Sequence, residues 1–436
     1  MSEEKSRYDV KLPLFGIPRV LPYLKEHKKI FVWMIITTAL ASVIDSVYPL
    51  FNQYALNHFI ARHTLDTIVI FTLGNIVMII AQCLLNFVSC FFCGKIEMNI
   101  NKDLRNASFN HLQELSFAYF NQNNVGYIHA RVMSDTGRIG EMVSWILMDT
   151  LYQVTYLIFV FVNMFLIEPR LAFLLALVVP AGVLISMFFQ KHLVVLNRKV
   201  REMNSTITGD FNEGITGAKS IKTMVIEDRI NEDFDEDTSK MEEISITTRR
   251  YRALFISLVS LMSSVALALV LWKGGSLTLQ KVILIGTLSV FMSYAINMLE
   301  PVQNIIGNIS VLISTQVNIE RLTNLLNEKS DVADSEEVIE KYGDTFHPKK
   351  ENWEPLHGDV EFKDVSFRYP DGEEMVLENF NLVVPQGTNV AIVGETGAGK
   401  STLVNLVCRF FEPTKGQVLI DGRDARERSQ LWLHSN

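Results

Sequence analysis

Gly394-Glu395-Thr396-Gly397-Ala398-Gly399-Lys400-Ser401 arranges glycines around one lysine and one hydroxyl with the spacing G-x-x-x-x-G-K-S. Glycines let backbone N–H groups converge on a point, the ammonium adds a mobile positive charge, and the hydroxyl can reach a divalent cation. Together they make a cradle for a polyphosphate. The flanks strengthen the reading: Val390-Ala391-Ile392-Val393 is β-branched and apolar and predicts a buried strand, and Ser401 to Phe411 predicts a helix. A strand, a glycine loop and a helix start, in that order, aim orphan N–H groups and the positive end of a helix dipole at one anion. Lys400 is then expected on the β- and γ-phosphates of a nucleotide, and Ser401 on Mg²⁺.

The elements that must carry this loop are of two kinds. The 436 residues are 48% hydrophobic with a mean hydropathy of +0.19, high for a soluble protein, and the excess lies in long runs between Ile30 and Gln303. Six runs have spanning length: Ile30–Phe51, Thr67–Phe92, Ser144–Ile167, Leu171–Gln190, Ala253–Trp272 and Val282–Gln303. Pro49, Pro180 and Pro301 fall in or at the ends of these runs, which membrane helices tolerate when neighbours satisfy the freed carbonyls. The first run starts too far from the N-terminus for a cleavable signal peptide, so it is expected to be retained as a signal anchor.

Lys and Arg orient the spans. Lys5, Arg7, Lys11, Arg19, Lys25, Lys28 and Lys29 precede the first, whereas the connections after spans one, three and five are short and hold only Arg62, then Arg170, then Lys273 and Lys281. Both termini are therefore expected in the cytosol, with the two long connections, Lys95–Val143 and Lys191–Arg252, on the same side as the phosphate loop. Apolar residues such as Leu104, Phe109, Leu112 and Leu115 keep helical spacing there, so the spans should continue as cytosolic helices. Asn121–Gly126 should break the first extension beside Phe117, Tyr119 and Phe120, and Phe211–Gly217 forms a similar glycine-bounded segment in the second.

The remaining features exclude other classes. A formal charge of -8, with acids gathered at Glu227–Asp237 and Asp331–Glu340, argues against a nucleic-acid partner. Four cysteines give no disulfide framework. Cys90 and Cys93 lie in an apolar run without a second ligand pair, which argues against zinc, and Cys408 reads as a packed helix residue. Leu12–Phe15 and Val20–Leu24 suggest a helix in the membrane interface. Gln316–His357, acidic and holding Pro348 and Pro355, reads as a linker, and at Val360 the pattern changes to short strands.

Val360 to Pro370, Leu377 to Leu382, Val390 to Ser401 and Gly416 to Gly422 together resemble the front half of an ABC-type ATPase domain, and the six spans with their long connections resemble the transmembrane domain of ABC exporters. The resemblance implies an all-α six-helix transmembrane domain with long cytosolic helical extensions, followed by the N-terminal part of an α/β P-loop ATPase domain. The implied boundaries are an N-terminal segment 1–29, spans 30–315, a linker 316–358 and a partial nucleotide-binding domain 359–436. It further implies ATP and Mg²⁺ as ligands, with Tyr369 stacked on adenine, Gly394, Glu395, Thr396, Gly397, Ala398, Gly399, Lys400 and Ser401 around the phosphates, and Thr402 on the α-phosphate. The glycine-bounded segments match the coupling helices that dock on nucleotide-binding domains, although packing between cytosolic helices would also account for Phe117, Tyr119 and Phe120.

After Gly422 the family pattern continues to a glutamine loop, a signature segment, an aspartate-glutamate pair and a switch histidine, which are not found; His434 comes too early for the last. The sequence thus reads as C-terminally truncated, with no catalytic residue and no ATP turnover of its own. The full-length form implied is an ATP-hydrolysing half-transporter in the plasma membrane, paired with a second half as homo- or heterodimer and exporting cargo such as drugs or lipids. The alternative is a non-catalytic partner subunit that binds nucleotide without hydrolysing it. Asp45 and Glu300 are intramembrane carboxylates, placed by this reading toward the outer and the cytosolic side respectively and so not paired. Asp45 is a cargo or gating contact, a bundle hydrogen bond or a water-exposed position. Asn86, Gln153, Asn163 and Asn297 either line a cavity or bond helix to helix.

Overall fold

The computed structural model describes residues 16–370, 372 and 374–436. The described chain forms two compact units, one of residues 24–98 and 141–315, the other of residues 16–23, 99–140 and 316–436. Of the expected interfacial helix, Leu12–Phe15 lie outside the described residues, while Val20–Leu24 fall within α1 (Ile17–Glu26).

Long helices make the first unit because runs of apolar residues leave no external partner for the backbone, and an α-helix satisfies its own N–H and C=O groups. They are α2 (Lys28–Ala55, prolonged by a π-turn over Leu56–Ile60), α3 (Ile68–Glu114), and, after short α4 (Phe117–Gln122), α5 (Val125–His129) and α6 (Thr136–Glu141), α7 (Leu147–Ile167). Then come α8 (Pro169–Thr216), short α9 (Ala218–Met224), α10 (Glu227–Leu279), α11 (Ile285–Asn297) and α12 (Leu299–Asn327). Leu171, Leu175, Ala266, Val270, Val290 and Phe291 are buried where α7, α8, α10 and α11 meet. Small residues permit the close approach: a Cβ on Gly286 would lie 2.5 Å from the Gln53 carbonyl oxygen, and the Gly286 N–H instead donates to Asn57 Oδ1 at 2.8 Å.

Five helical stretches among the described residues are long and apolar enough to cross a membrane: Lys28–Ile60, Ile68–Glu114, Val125–Ile167, Pro169–Thr216 and Glu227–Leu279. The sixth expected span is divided at Met298, three residues before Pro301. Proline has no N–H to donate to the carbonyl of Asn297 four residues back, and its ring crowds that carbonyl. Met298 nonetheless keeps right-handed helical dihedrals (φ -75°, ψ -19°), so the interruption is one of hydrogen bonding.

The depths expected for Asp45 and Glu300 need correction. The first apolar run ends at Phe51, but the helix continues to Ile60, fifteen residues past Asp45, and α11 starts at Ile285, fifteen residues before Glu300. At the helical rise both carboxylates sit about 22 Å from helix ends that are pinned together through Asn57 and Gly286. They line one cavity.

In the second unit β1 (Val360–Phe367), β2 (Leu377–Val384), β3 (Lys415–Ile420) and β4 (Arg423–Asp424) form an antiparallel sheet of order β2-β1-β3-β4. Phe362, Val365, Phe367, Leu377 and Val418 are buried against Leu403 and Leu406 of α14 (Lys400–Val407). The helix stops earlier than the expected Phe411, because Arg409 turns left-handed (φ 51°) and its guanidinium is tied to Asp334, Glu412 and the carbonyls of Ala333 and Arg428. Val390–Val393, expected as a buried strand, is neither: Val390, Ile392 and Val393 are exposed and the segment is irregular. A buried parallel strand exists only through neighbours on both sides, and the sheet of described strands places none beside it.

Residues 328–357, expected as a linker, carry α13 (Glu336–Tyr342) and are hydrogen-bonded onto the nucleotide segment. The Trp432 indole donates to the Glu354 carbonyl at 2.8 Å, and Asp421 accepts from the N–H groups of His357, Gly358 and Asp359 at 2.9, 2.8 and 3.0 Å. Burial alone would raise the Asp421 carboxyl, but those three donors and the Arg428 charge hold it below the usual carboxylate range.

Candidate nucleotide-phosphate site

The loop 394–399 turns sharply into α14 with Gly397 at φ 91° and Gly399 at φ 79°, values that a residue with a Cβ rarely adopts. Gly399 is also the N-cap of α14, and with no side chain it leaves the first-turn donors uncapped. The first intrahelical bond runs from Leu403 N–H to the Gly399 carbonyl at 3.1 Å, so the N–H groups of Lys400, Ser401 and Thr402 have no acceptor within the helix. The Lys400 ammonium folds back onto the loop to donate to the carbonyls of Gly394 (2.8 Å) and Glu395 (2.6 Å). A lysine resting on neutral carbonyls is free to exchange them for phosphate oxygens, a stronger charge-assisted contact. Ser401 is exposed at the same helix end, placed to offer its hydroxyl to a cation there. The donor set therefore fits a polyphosphate with its metal, and the chemistry a bound Mg²⁺ supplies is neutralisation of charge on the phosphate oxygens.

Thr402 and Tyr369, named separately from the sequence, are brought together. Thr402 is buried and its hydroxyl bonds the Tyr369 hydroxyl at 2.9 Å. The Tyr369 ring meets Phe367 and Phe411 edge-on, with centroids 4.9 and 5.2 Å apart. Held at its hydroxyl and along its edges, the ring borders an open cavity of about 450 Å³ that Pro370, Gly372, Asn121 and Gln122 also line. Residues Glu395, Thr396 and Ala398 are exposed loop positions.

Of the aromatics expected at the break in the first extension, Phe117 stacks on Phe410 at 5.5 Å, whereas Tyr119 turns to Leu112, Leu115, Val132 and Leu325 and holds Phe120 edge-on. The residue missed is Ala118, 2% exposed within the cluster of Phe362, Val365 and Leu403. The signal lay in its size: a small residue between two aromatics lets a six-residue helix approach a sheet-and-helix core closely. Gly126 lies inside α5 and breaks nothing; the break is at Asn123-Asn124, where the Asn124 side chain caps Tyr127 N–H at 2.7 Å. His434, set aside above as a switch residue, bonds the Cys408 carbonyl at 2.7 Å.

Comparison with known proteins agrees with this architecture. Residues 31–302 match the family described as ABC transporter transmembrane region, and residues 377–436 match the family described as ABC transporter. The chain is 31% identical over 354 residues to the probable multidrug resistance ABC transporter ATP-binding/permease protein YheH of Bacillus subtilis, a match covering 78% of this chain and 49% of that protein. It is 27% identical to the putative ABC transporter ATP-binding protein exp8 of Streptococcus pneumoniae (96% of this chain, 70% of that one). Against the ATP-dependent lipid A-core flippase of Desulfotalea psychrophila the identity is 28% (76% and 56%). The chain thus spans about half the length of YheH and somewhat more of the other two. With apolar helices matching the transmembrane family over more than half its length, and a glycine loop opening a helix beyond them, this multi-pass membrane protein belongs to the ABC transporter family.

Proposed function

We propose that this chain supplies the spans and the phosphate-gripping loop of an ATP-driven exporter that works as a pair of such chains in the plasma membrane, both termini in the cytosol. The observation that carries the reading is the junction within one compact unit: α4, from the first cytosolic extension, is built into the hydrophobic core that also positions the loop helix α14, through Ala118 and the Phe117–Phe410 stack. A nucleotide that moves α14 therefore moves an extension of the spans. In this reading residues 30–315 are the transmembrane domain, 316–358 the connecting belt and 359–436 the nucleotide-binding part. Tyr369 stacks on adenine, Gly394–Ser401 and Thr402 hold the phosphates, and Ser401 ligates Mg²⁺. The curated relatives are named for drugs and for a lipid A core, and we take apolar or amphipathic cargo of that kind as the transported class.

Photolabelling of the chain in vesicles by an azido-ATP tests the nucleotide assignment. Label that needs Mg²⁺ and falls on peptides between Tyr369 and Phe411 is expected; label elsewhere in the chain removes it.

Pairing has its own support. The tip joining α8, α9 and α10 leaves Phe211, Ile215, Met224 and Val225 exposed (56, 61, 70 and 80%). Val225 is moreover left-handed (φ 54°), a costly conformation for a β-branched residue. We assign this tip to the nucleotide-binding part of a second copy. Met224→Asp with Val225→Asp should weaken pairing roughly tenfold, as two apolar side chains of about 1–2 kcal/mol each lose part of their burial. Light scattering of the protein in nanodiscs reads the ratio of pairs to single chains, and an unchanged ratio would refute the assignment.

A further inference from the structure

The six apolar runs contain three carboxylates, Asp45, Asp149 and Glu300, and no lysine or arginine. A carboxylate among spans is costly without a compensating charge, so the partners of each matter. Asp45 accepts from the Tyr152 hydroxyl and the Gln82 amide, and Asp149 from Gln153 (3.1 Å) and Asn308 (2.8 Å). These donors are neutral; they orient the carboxylates without cancelling their charge. Glu300 has no hydrogen-bond or ion-pair partner among the described residues and is exposed into a cavity of about 350 Å³. Asp45 lines the same cavity from α2, and Tyr48, Tyr152 and Tyr156 wall it with aromatic surface. The space thus offers one oriented carboxylate, one carboxylate without a partner among the described residues and three tyrosines, with no positive side chain in its lining.

We propose that this cavity recognises a hydrophobic organic cation, an amine or quaternary ammonium carried on an apolar body. Its charge sits between Asp45 and Glu300, and its apolar groups lie against the tyrosine rings. The volume is in the range of pockets for small organic molecules, about 300–1,000 Å³, and the aromatic walls attract a diffuse cation through their π faces. A bare divalent ion fits poorly, since it asks for about six to eight oxygens at short range, and the cavity presents two carboxylates set among rings. The proposal names a cargo class for the export reading and rests on it.

The test is equilibrium binding to the full chain in phosphatidylcholine nanodiscs, with empty discs as background. Tetraphenylphosphonium is the probe, and tetraphenylborate, of the same shape and opposite charge, is the control. Saturable binding of the phosphonium and none of the borate is expected. Glu300→Gln should weaken phosphonium binding tenfold or more, and Glu300→Asp should restore part of it. Because Glu300 has no partner to lose, Glu300→Gln should fold normally, as circular dichroism in the same discs will show. Equal binding of the two ions, no saturable phosphonium binding, or unchanged affinity in folded Glu300→Gln each overturns the proposal. Azido-ATP labelling of the same discs is read in parallel, so that loss of cation selectivity with labelling intact refutes the cargo class and leaves the nucleotide reading standing.

Discussion

Lys400→Ala is expected to weaken nucleotide binding by roughly 10- to 100-fold while leaving membrane insertion untouched. The ammonium is a full positive charge in direct contact with the loop, through the Gly394 and Glu395 carbonyls. A hydrogen bond to a charged group contributes about 1.5–3 kcal/mol, which converts to the stated range. The uncapped N–H groups of α14 remain in the variant, so residual affinity should persist and fall further with added salt. Competition of ATP against the azido label gives the affinity, and a Kd within a factor of two of the parent would remove Lys400 from the site. Alanine keeps the helix start, so lost binding reports the ammonium and not an unfolded loop.

Arg409→Met should be the most damaging single change to the nucleotide-binding part. The guanidinium side chain is 3% exposed and bonds Asp334 at 2.7 Å, Glu412 at 3.1 Å and the carbonyls of Arg428 and Ala333 at 2.9 and 3.0 Å. It therefore clamps the segment before α13 to the end of α14. Methionine keeps the apolar stem but leaves the Asp334 carboxylate, 16% exposed, without its cation. Breaking a buried pair by removing one partner costs about 3–5 kcal/mol. Hydrogen exchange should show protection of the β1 and β3 amides falling by 100-fold or more, and proteolysis should open residues 328–357. Protection unchanged to within a factor of three would mean that the clamp is dispensable. Arg409→Lys should recover little, because an ammonium cannot reproduce the fork that meets two carboxylates and two carbonyls at once.

Arg409 also shows where reading the sequence falls short. Nothing around Cys408-Arg409-Phe410 marks the arginine as buried, since two of its four acceptors lie 75 and 76 residues earlier in the chain and a third lies 19 residues later. Tyr369 and Thr402 were each assigned a role near the nucleotide, yet their mutual hydrogen bond across 33 residues was invisible. Val390–Val393 failed in the opposite way: β-branched residues state a preference, but a parallel strand is made by its neighbours, and the described strands lie elsewhere. For Asp45 and Glu300, counting along the chain misjudged depth because the end of the first helix was placed nine residues early, at Phe51 in place of Ile60.

By itself the sequence determined the long apolar runs, their helical form and the glycine loop that opens α14. Each is local: apolar backbone away from water must satisfy itself within one helix, and a glycine-lysine-serine spacing shapes its own loop and the helix start beside it. The tertiary structure alone decided that α4 enters the core beneath the loop helix, that Arg409 clamps the connecting belt, and that two carboxylates from distant helices share one aromatic cavity. Those outcomes depend on which side chains distant in sequence meet, and that is settled by close packing and by the need of buried polar groups for partners.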